Sequence, residues 1–430
     1  MERVIASSVV QYLNHNNLLN NNQHGFLSKK STLTNLLESV NDWSITLEGG
    51  NKTAVAYVDF QRAFDSVSHS KLAHKLKAYG IDGALLKWIT EFLSDRKHCI
   101  RVGLSYSEFV SIRSGVVQGC CLGPLLFLLF INDILDVFTI PVQCKLYADD
   151  AKLYTSIKSD ADSVNLQANL DKLFDWSSKW QLNISHHKCC IIEICKSCRN
   201  IKLVDNVYNY KLGSRPLNIV NSVSDLGIIV DSDLNFSGHI AYVTRKAHQR
   251  ANLILRCLIS RDIGSLISAF KTYVRPIVEY NSSIWSPSLK KDILTIESVQ
   301  RRFTKRLAGM SNLSYHARLK LLKLESLELR RLRADLLLVY KILFGHVNLS
   351  VDAFFKLNTN EKLNSLRRHS YQLVVPTRRP NCIAGRGLFV YRIAKLWNDL
   401  PRGTNFSSFT CFINSISDDF LTLKCSIHFI

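Results

Sequence analysis

The ten residues KLYADDAKLY, Lys145 to Tyr154, set two adjacent carboxylates among apolar neighbours. Leu146, Tyr147 and Ala148 precede Asp149 and Asp150, and Ala151 and Leu153 follow them. Adjacent acids repel each other, and apolar surroundings penalise their charge. A divalent cation offsets both costs. Mg²⁺ takes one or two carboxylates and completes its shell with phosphate oxygens and water. Two such ions about 4 Å apart clamp the attacking and leaving oxygens of a phosphoryl transfer. A paired site needs another acid from elsewhere. Asp59 ends the apolar run TAVAYVDF, Thr53 to Phe60, and is the natural candidate; Asp65 reads as a helix cap.

Composition fits a large folded protein. The chain has 430 residues, 47% hydrophobic and 21% charged, which favours globular over disordered structure. Lys and Arg total 55 against 35 for Asp and Glu, a net charge of +20 that argues for a polyanionic partner. The charge is uneven. Residues 1–240 carry 24 basic and 23 acidic side chains, residues 241–400 carry 29 and 10, and residues 401–430 carry two of each. A nearly neutral body followed by a strongly basic part suits a catalytic region joined to a nucleic-acid grip. The plainer alternative is a basic helical domain with no ligand.

The 12 cysteines follow no secretory signal, because MERVIASSVVQYLNHNNL reads as an amphipathic helix without an apolar h-region. Reduced thiols in an intracellular protein, nuclear or cytoplasmic, are expected. Cys195 and Cys198 form a C-x-x-C, but no second pair follows at zinc-finger spacing. The longest apolar run, LGPLLFLLFI from Leu122 to Ile131, is too short for a bilayer and reads as a buried helix after Pro124.

Strands are expected at TAVAYVDF, on both sides of Asp149–Asp150, and at KCCIIEI. HCIRVGLSYSEFVSIRSGV and DLGIIVDSDLNF read as hairpins, and residues 160–182 as a helix with Asp160 at its N-cap. Helices follow at SHSKLAHKLKAYG and DGALLKWITEFLSDR. In IESVQRRFTKRLAG, Ile296, Val299, Phe303 and Leu307 form one apolar stripe, and Arg301, Arg302, Lys305 and Arg306 occupy the rest. RLKLLKLESLELRRLRADLLLVYKILFG reads as one long helix with Arg330, Arg331 and Arg333 clustered for phosphate contact. RGLFVYRIAKLWNDLP reads as a packed helix.

Several stretches together resemble reverse transcriptases of non-LTR (LINE-type, jockey-like) retrotransposons. YADD is similar to their polymerase signature, and VDFQRAFDSVSH to their first catalytic motif. SGVVQGCCLGPLLFLLFINDI resembles their template- and nucleotide-contacting motif. QHGFLSKKSTLTNLL resembles the finger segment, WQLNISHHKC the segment after the hairpin, and DLGIIVD the primer grip. The resemblance covers about residues 15–345. It implies an α+β, right-hand polymerase: partial fingers and palm over 1–240, a basic helical thumb over 241–345, and a C-terminal extension over 346–430. Met1 falls inside the fingers, so an N-terminally truncated element is expected.

The resemblance also implies roles. Asp59, Asp149, Asp150 and the Phe60 carbonyl would hold two Mg²⁺ ions, with Mn²⁺ as an alternative. Phe64 would floor the sugar pocket and exclude a 2′-hydroxyl. Gln118 and Gly119 would lie against nucleotide and template, and Lys188, Lys29 and Lys30 near the triphosphate. Arg301, Arg302, Lys305 and Arg306 would grip nucleic acid. Leu27, Val117 and Cys120 depart from the Arg, Pro and Ser of many relatives, and the first departure weakens the triphosphate clamp. The expected reaction is RNA-templated addition of a dNTP to a DNA primer, without membrane involvement. The alternative is an inactive, polymerase-derived nucleic-acid-binding protein.

Overall fold

The computed structural model describes residues 1–195, 208–358, 369–375 and 388–425. Helix and sheet are mixed, and the chain divides into two compact units. One comprises residues 1–35 and 50–221, the other residues 36–49 and 222–430.

The first unit opens with α1, Glu2–His15, and the first turn of α2, Thr32–Glu48. Strand β1, Lys52–Val58, precedes α3, His69–Ala78, and α4, Gly83–Leu93. Four short strands follow: β2 Lys97–His98, β3 Arg101–Val102, β4 Ser105–Tyr106 and β5 Val110–Ser111. Next come α5, Gly123–Ile131, β6, Gln143–Tyr147, and β7, Asp150–Ile157. The unit ends with α6, Asp160–Trp180, β8, Cys190–Ile194, and β9 to β11 at Lys211–Leu212, Arg215–Pro216 and Asn218–Ile219. One sheet runs β11-β8-β1-β7-β6. All its pairs are antiparallel except β11 with β8. β1 is central, and its Thr53–Ala56 run is fully buried, as expected of a strand covered on both faces. Helix α5 has every position from Leu125 to Ile131 buried. Each such side chain contributes about 1.5–3 kcal/mol.

The N-cap of α6 is Ser159, not Asp160: Ser159 and Asp162 form a reciprocal capping box, and Asp160 sits in the first turn. Cys198 lies outside the described residues. Cys195 is disulfide-bonded, so reduced thiols throughout are not what the structure has.

The second unit begins with the hairpin β12, Ser222–Asp225, and β13, Ile228–Asp231. Leu226 and Gly227 both have positive φ, the twist a tight hairpin requires. Its helices are α7 Ser237–Cys257, α8 Ile263–Tyr273, α9 Arg275–Glu279, α10 Ser282–Trp285, α11 Lys290–Lys305, α12 Tyr315–Leu322, α13 Leu327–Leu343, α14 Val351–Phe354, α15 Phe389–Asn398, α16 Phe409–Ser415 and α17 Asp418–Thr422. The expected apolar stripe of α11 is buried throughout: Ile296, Val299, Phe303 and Leu307 are at most 3% exposed.

The expected single helix over 318–345 is broken. Lys323 takes a left-handed conformation after α12, and Ser326 caps α13 by accepting from Leu329 N. Glu297 of α11 completes the new helix start, accepting from Leu327 N at 3.1 Å and Glu328 N at 3.2 Å. The arginines of α13 are not a phosphate-facing cluster. Arg330 pairs with Glu279 and Glu325, Arg333 with Glu325 and Asp418, and Arg331 is buried among Glu297, Glu328 and Asp335. Those carboxylates already neutralise the cations.

Candidate active site

Strand register assembles the site. Val58 pairs with Ala151 of β7, and Tyr57 with Cys190 of β8. One residue beyond β1, Asp59 therefore stands between the start of β7 and the approach to β8. Lys188 lies on that approach, its Nζ 3.0 Å from Asp59 Oδ2. That carboxylate oxygen is buried and accepts no well-formed hydrogen bond, so the ammonium is a charge partner only. Asp59 is fixed through its backbone: its carbonyl accepts from Ser185 N at 2.8 Å, and Gln61 N donates to Asn183 O at 2.7 Å. These bonds leave the Phe60 carbonyl outside the bridge, while the Phe60 ring is buried in the core.

Asp149 lies in the two-residue turn between Tyr147 and Asp150, next to Ala148, which has φ 56°. Burial raises its carboxyl above the ordinary range. Its own backbone N–H opposes that rise; the Asp59 charge adds to it, and Lys188 counters it. Asp150 opens β7 and is exposed. Among the described residues no group of three or more His, Cys, Asp or Glu is arranged to hold a metal ion. The structure thus sets two carboxylates, Asp59 and Asp149, and one ammonium, Lys188, within one electrostatic group. That pair still fits a divalent cation: a buried carboxylate oxygen lacks a hydrogen bond, and Mg²⁺ needs only one or two carboxylates beside phosphate and water.

A clamp unforeseen in the sequence holds the turn. Buried Gln23 accepts from Ala148 N at 2.9 Å and from Gly25 N at 2.7 Å, and donates to Ala148 O at 3.2 Å. His24 N and the Asn35 amide both donate to Leu146 O. Gly25 packs so closely that a Cβ there would stand 2.4 Å from Ala148 N. The unfavourable φ of Ala148 is thereby over-determined by its surroundings. Nothing local in QHGF marks the glutamine's partner 125 residues away.

The Phe64 ring stacks on Phe127 with centroids 4.1 Å apart, and Phe26 meets it edge-on at 6.0 Å. Asp65 is not a helix cap, since α3 begins at His69 after Ser68. Instead Asp65 Oδ1 accepts from Gln118 Nε2 at 2.8 Å, which orients the exposed Gln118. Gly119 has φ 82° and open space where a Cβ would lie, so its backbone conformation is what requires glycine. Lys29 is exposed, and Lys30 donates to the Asn21 carbonyl.

In the second unit, Arg302, Lys305 and Arg306 line a groove of about 920 Å³ between α7 and α11, with Arg245 and His248 opposite. Arg306 also bonds Asn252. Arg301 is not among the lining residues; it is half-buried, its guanidinium 5.1 Å from the Tyr315 ring centroid.

The reverse transcriptase (RNA-dependent DNA polymerase) family model matches residues 1–229. The probable RNA-directed DNA polymerase from transposon BS of Drosophila melanogaster is 27% identical over 333 residues, 70% of this chain and 34% of that protein. The RNA-directed DNA polymerase from mobile element jockey of the same species is 26% identical over 322 residues, 72% of this chain and 34% of that protein. The chain thus spans about a third of the length of these curated relatives. Among solved structures, apo telomerase from Candida Tropicalis aligns at a TM-score of 0.38 and 10% identity, over 75% of this chain and 57% of that one. No helix among the described residues is long and apolar enough to cross a membrane.

Proposed function

The chain belongs to the reverse transcriptase (RNA-dependent DNA polymerase) family, and from that premise we propose that it carries the nucleotidyl-transfer centre of a non-LTR retrotransposon polymerase. The first unit serves as palm with part of the fingers, and the helical second unit as thumb and extension. The reaction joins a DNA primer 3′-oxygen to the α-phosphorus of a dNTP on an RNA template. The bond from that phosphorus to the bridging oxygen breaks, the hydroxyl proton is lost and pyrophosphate leaves.

The observation that carries the reading is the convergence of Asp59 and Asp149 at adjacent strand ends, with an orphaned carboxylate oxygen between sheet and ammonium. Asp59, Asp149, Asp150 and the Phe60 carbonyl would hold two divalent ions, Mg²⁺ foremost. When bound, those ions would neutralise charge on the transferring phosphoryl group and both of its flanking oxygens.

The chain's own groups do the positioning. Gln23 and Gly25 keep the Asp149 turn rigid. Lys188, the charge partner of Asp59, would give its proton to the departing pyrophosphate. Phe64, braced by Phe127, floors the sugar site. Gln118, oriented by Asp65, and Gly119 face nucleotide and template. Lys29 and Lys30 remain candidates for the triphosphate, and Arg302, Lys305, Arg306 and, less directly, Arg301 for the nucleic-acid backbone.

Primer extension on poly(rA)–oligo(dT) tests this. Asp149→Asn should abolish extension while duplex affinity stays within about twofold, because affinity resides in cations that the change leaves alone. Extension by Asp149→Asn at the wild-type rate would overturn the assignment. A second reading, an inactive nucleic-acid-binding protein, is favoured by the lack of a three-ligand metal cluster among the described residues. It expects duplex binding with no extension even by the wild type.

A further inference from the structure

Between Lys97 and Ser111 the first unit carries two nested hairpins, β2 with β5 and β3 with β4. Every residue from Ile100 to Ser111 is exposed. Ile100, Val102, Leu104, Tyr106, Phe109 and Val110 are 56–91% exposed. Six large apolar side chains within eleven residues form a concentration, unlike the single exposed residues of an ordinary surface. A two-stranded ribbon is marginal in water on its own, and covering its apolar side chains would stabilise it.

Charge identifies the covering partner. Residues 96–113 hold Arg96, Lys97, Arg101 and Arg113 against Glu108 alone, a net of 4 − 1 = +3. Residues 1–240 as a whole have a net of only 24 − 23 = +1, so the ribbon is a positive island on a neutral body. Arg96 folds back onto the Phe92 ring and carbonyl, which leaves Lys97, Arg101 and Arg113 as the outward cations. Arg101 pairs across the ribbon with Tyr106 and lies 5.4 Å from its ring centroid. Aromatic faces interleaved with cations suit a strand of stacked bases and phosphates.

We propose that this ribbon docks a single-stranded polynucleotide, with bases on Tyr106 and Phe109 and phosphates on Lys97, Arg101 and Arg113. The proposal rests on the nucleic-acid reading above and deepens it. The base of the ribbon is tied to the 65–67 segment that follows Asp59. Ile112 N donates to Arg96 O at 2.8 Å, Ser114 Oγ to Asp65 O at 2.9 Å and Gly115 N to Val67 O at 2.8 Å. At about 3.3 Å per residue, seven residues of strand reach roughly 20 Å beyond that anchor.

The test uses the whole chain with labelled oligo(rU), oligo(dT) and an RNA–DNA duplex, read by fluorescence anisotropy. Tyr106→Ala with Phe109→Ala should lower single-strand affinity about tenfold or more and leave the salt slope unchanged. Duplex affinity should change by less than about twofold. Tyr106→Phe should retain binding. Lys97→Ala, Arg101→Ala and Arg113→Ala together should flatten the single-strand salt slope by roughly 2 units, at about 0.7 per phosphate. The two single strands show whether the sugar matters; equal losses on both place recognition in base and phosphate. Circular dichroism confirms that the exposed substitutions leave the fold intact.

Wild-type single-strand affinity in the aromatic double variant overturns the proposal. So does a concentration-dependent wild-type dimer that the double variant loses, because a second copy would then be the occupant. Absence of primer extension with single-strand binding intact overturns only the activity proposed above.

Discussion

The groove between α7 and α11 allows its charge to be counted against a measurable slope. Among the described residues its lining holds Arg245, Arg302, Lys305 and Arg306 and no Asp or Glu. A polyanion laid there displaces condensed counterions, and each neutralised phosphate adds about 0.9 to the slope of log affinity against log salt. Replacing Arg302, Lys305 and Arg306 with Ala removes three of these cations. Three contacts at about 0.9 give about 2.7, so the duplex salt slope should flatten by roughly 2–3 units. The lower end applies if Arg306 stays with Asn252, to which it already bonds.

Between about 50 and 200 mM salt, log concentration rises by about 0.6, so the wild type should lose roughly 40-fold more affinity than the triple variant. Fluorescence anisotropy of a labelled RNA–DNA duplex over a salt series measures this. Two unrelated sequences should behave alike, because phosphates carry no base identity. Arg301→Ala is the internal control. Its guanidinium lies over Tyr315, outside the groove lining, so the slope should move by less than about half a unit. An unchanged slope in the triple variant would show that these cations only keep the surface soluble. A strong dependence on base sequence would be equally fatal.

The remaining predictions concern the stability of the second unit. Glu297→Ala strips the start of α13 of its acceptor and leaves buried Arg331 short of a counter-charge, which should cost about 3–5 kcal/mol in denaturant unfolding; a loss below about 1 kcal/mol would mean that the cap is incidental. His239 is 1% exposed, and burial lowers its pKa to about 4 from 6.5. The stability held by its neutral ring is complete above pH 6.5 and is lost as pH falls toward 4, by up to about 3 kcal/mol. His239→Gln, which can still accept from Ile229 N, should remove that slope; parallel acid loss in both proteins would assign it to other groups.

What the sequence disclosed depended on the range of each interaction. The acid-bearing hairpin was legible because alternation and register are local, and α5 because an unbroken apolar run has one sensible place. The stripe of α11 was readable from period alone. The break before α13 was not: the apolar period continues through residues 320–330, and the helix restarts at a carboxylate contributed by Glu297. The arginines of α13 misled for the same reason, since Glu279 and Asp418 lie 51 and 85 residues away. The Gln23 clamp and the assignment of residues 36–49 to the second unit are likewise long-range facts with no local signature.

The question raised by the adjacent acids now has a partial answer in side chains and a remainder in charge. Hydrogen bonds from Gln23, His24 and Asn35 fix the turn, and Lys188 offsets Asp59. None of these supplies a second positive charge. Two carboxyl groups face one ammonium, and burial keeps the Asp149 carboxyl raised despite Lys188. An incoming triphosphate would deepen that deficit. These two carboxylates and their one ammonium therefore leave room for a further positive charge. A divalent cation, as proposed above, would supply a compact positive charge that tolerates carboxylate, phosphate and water together.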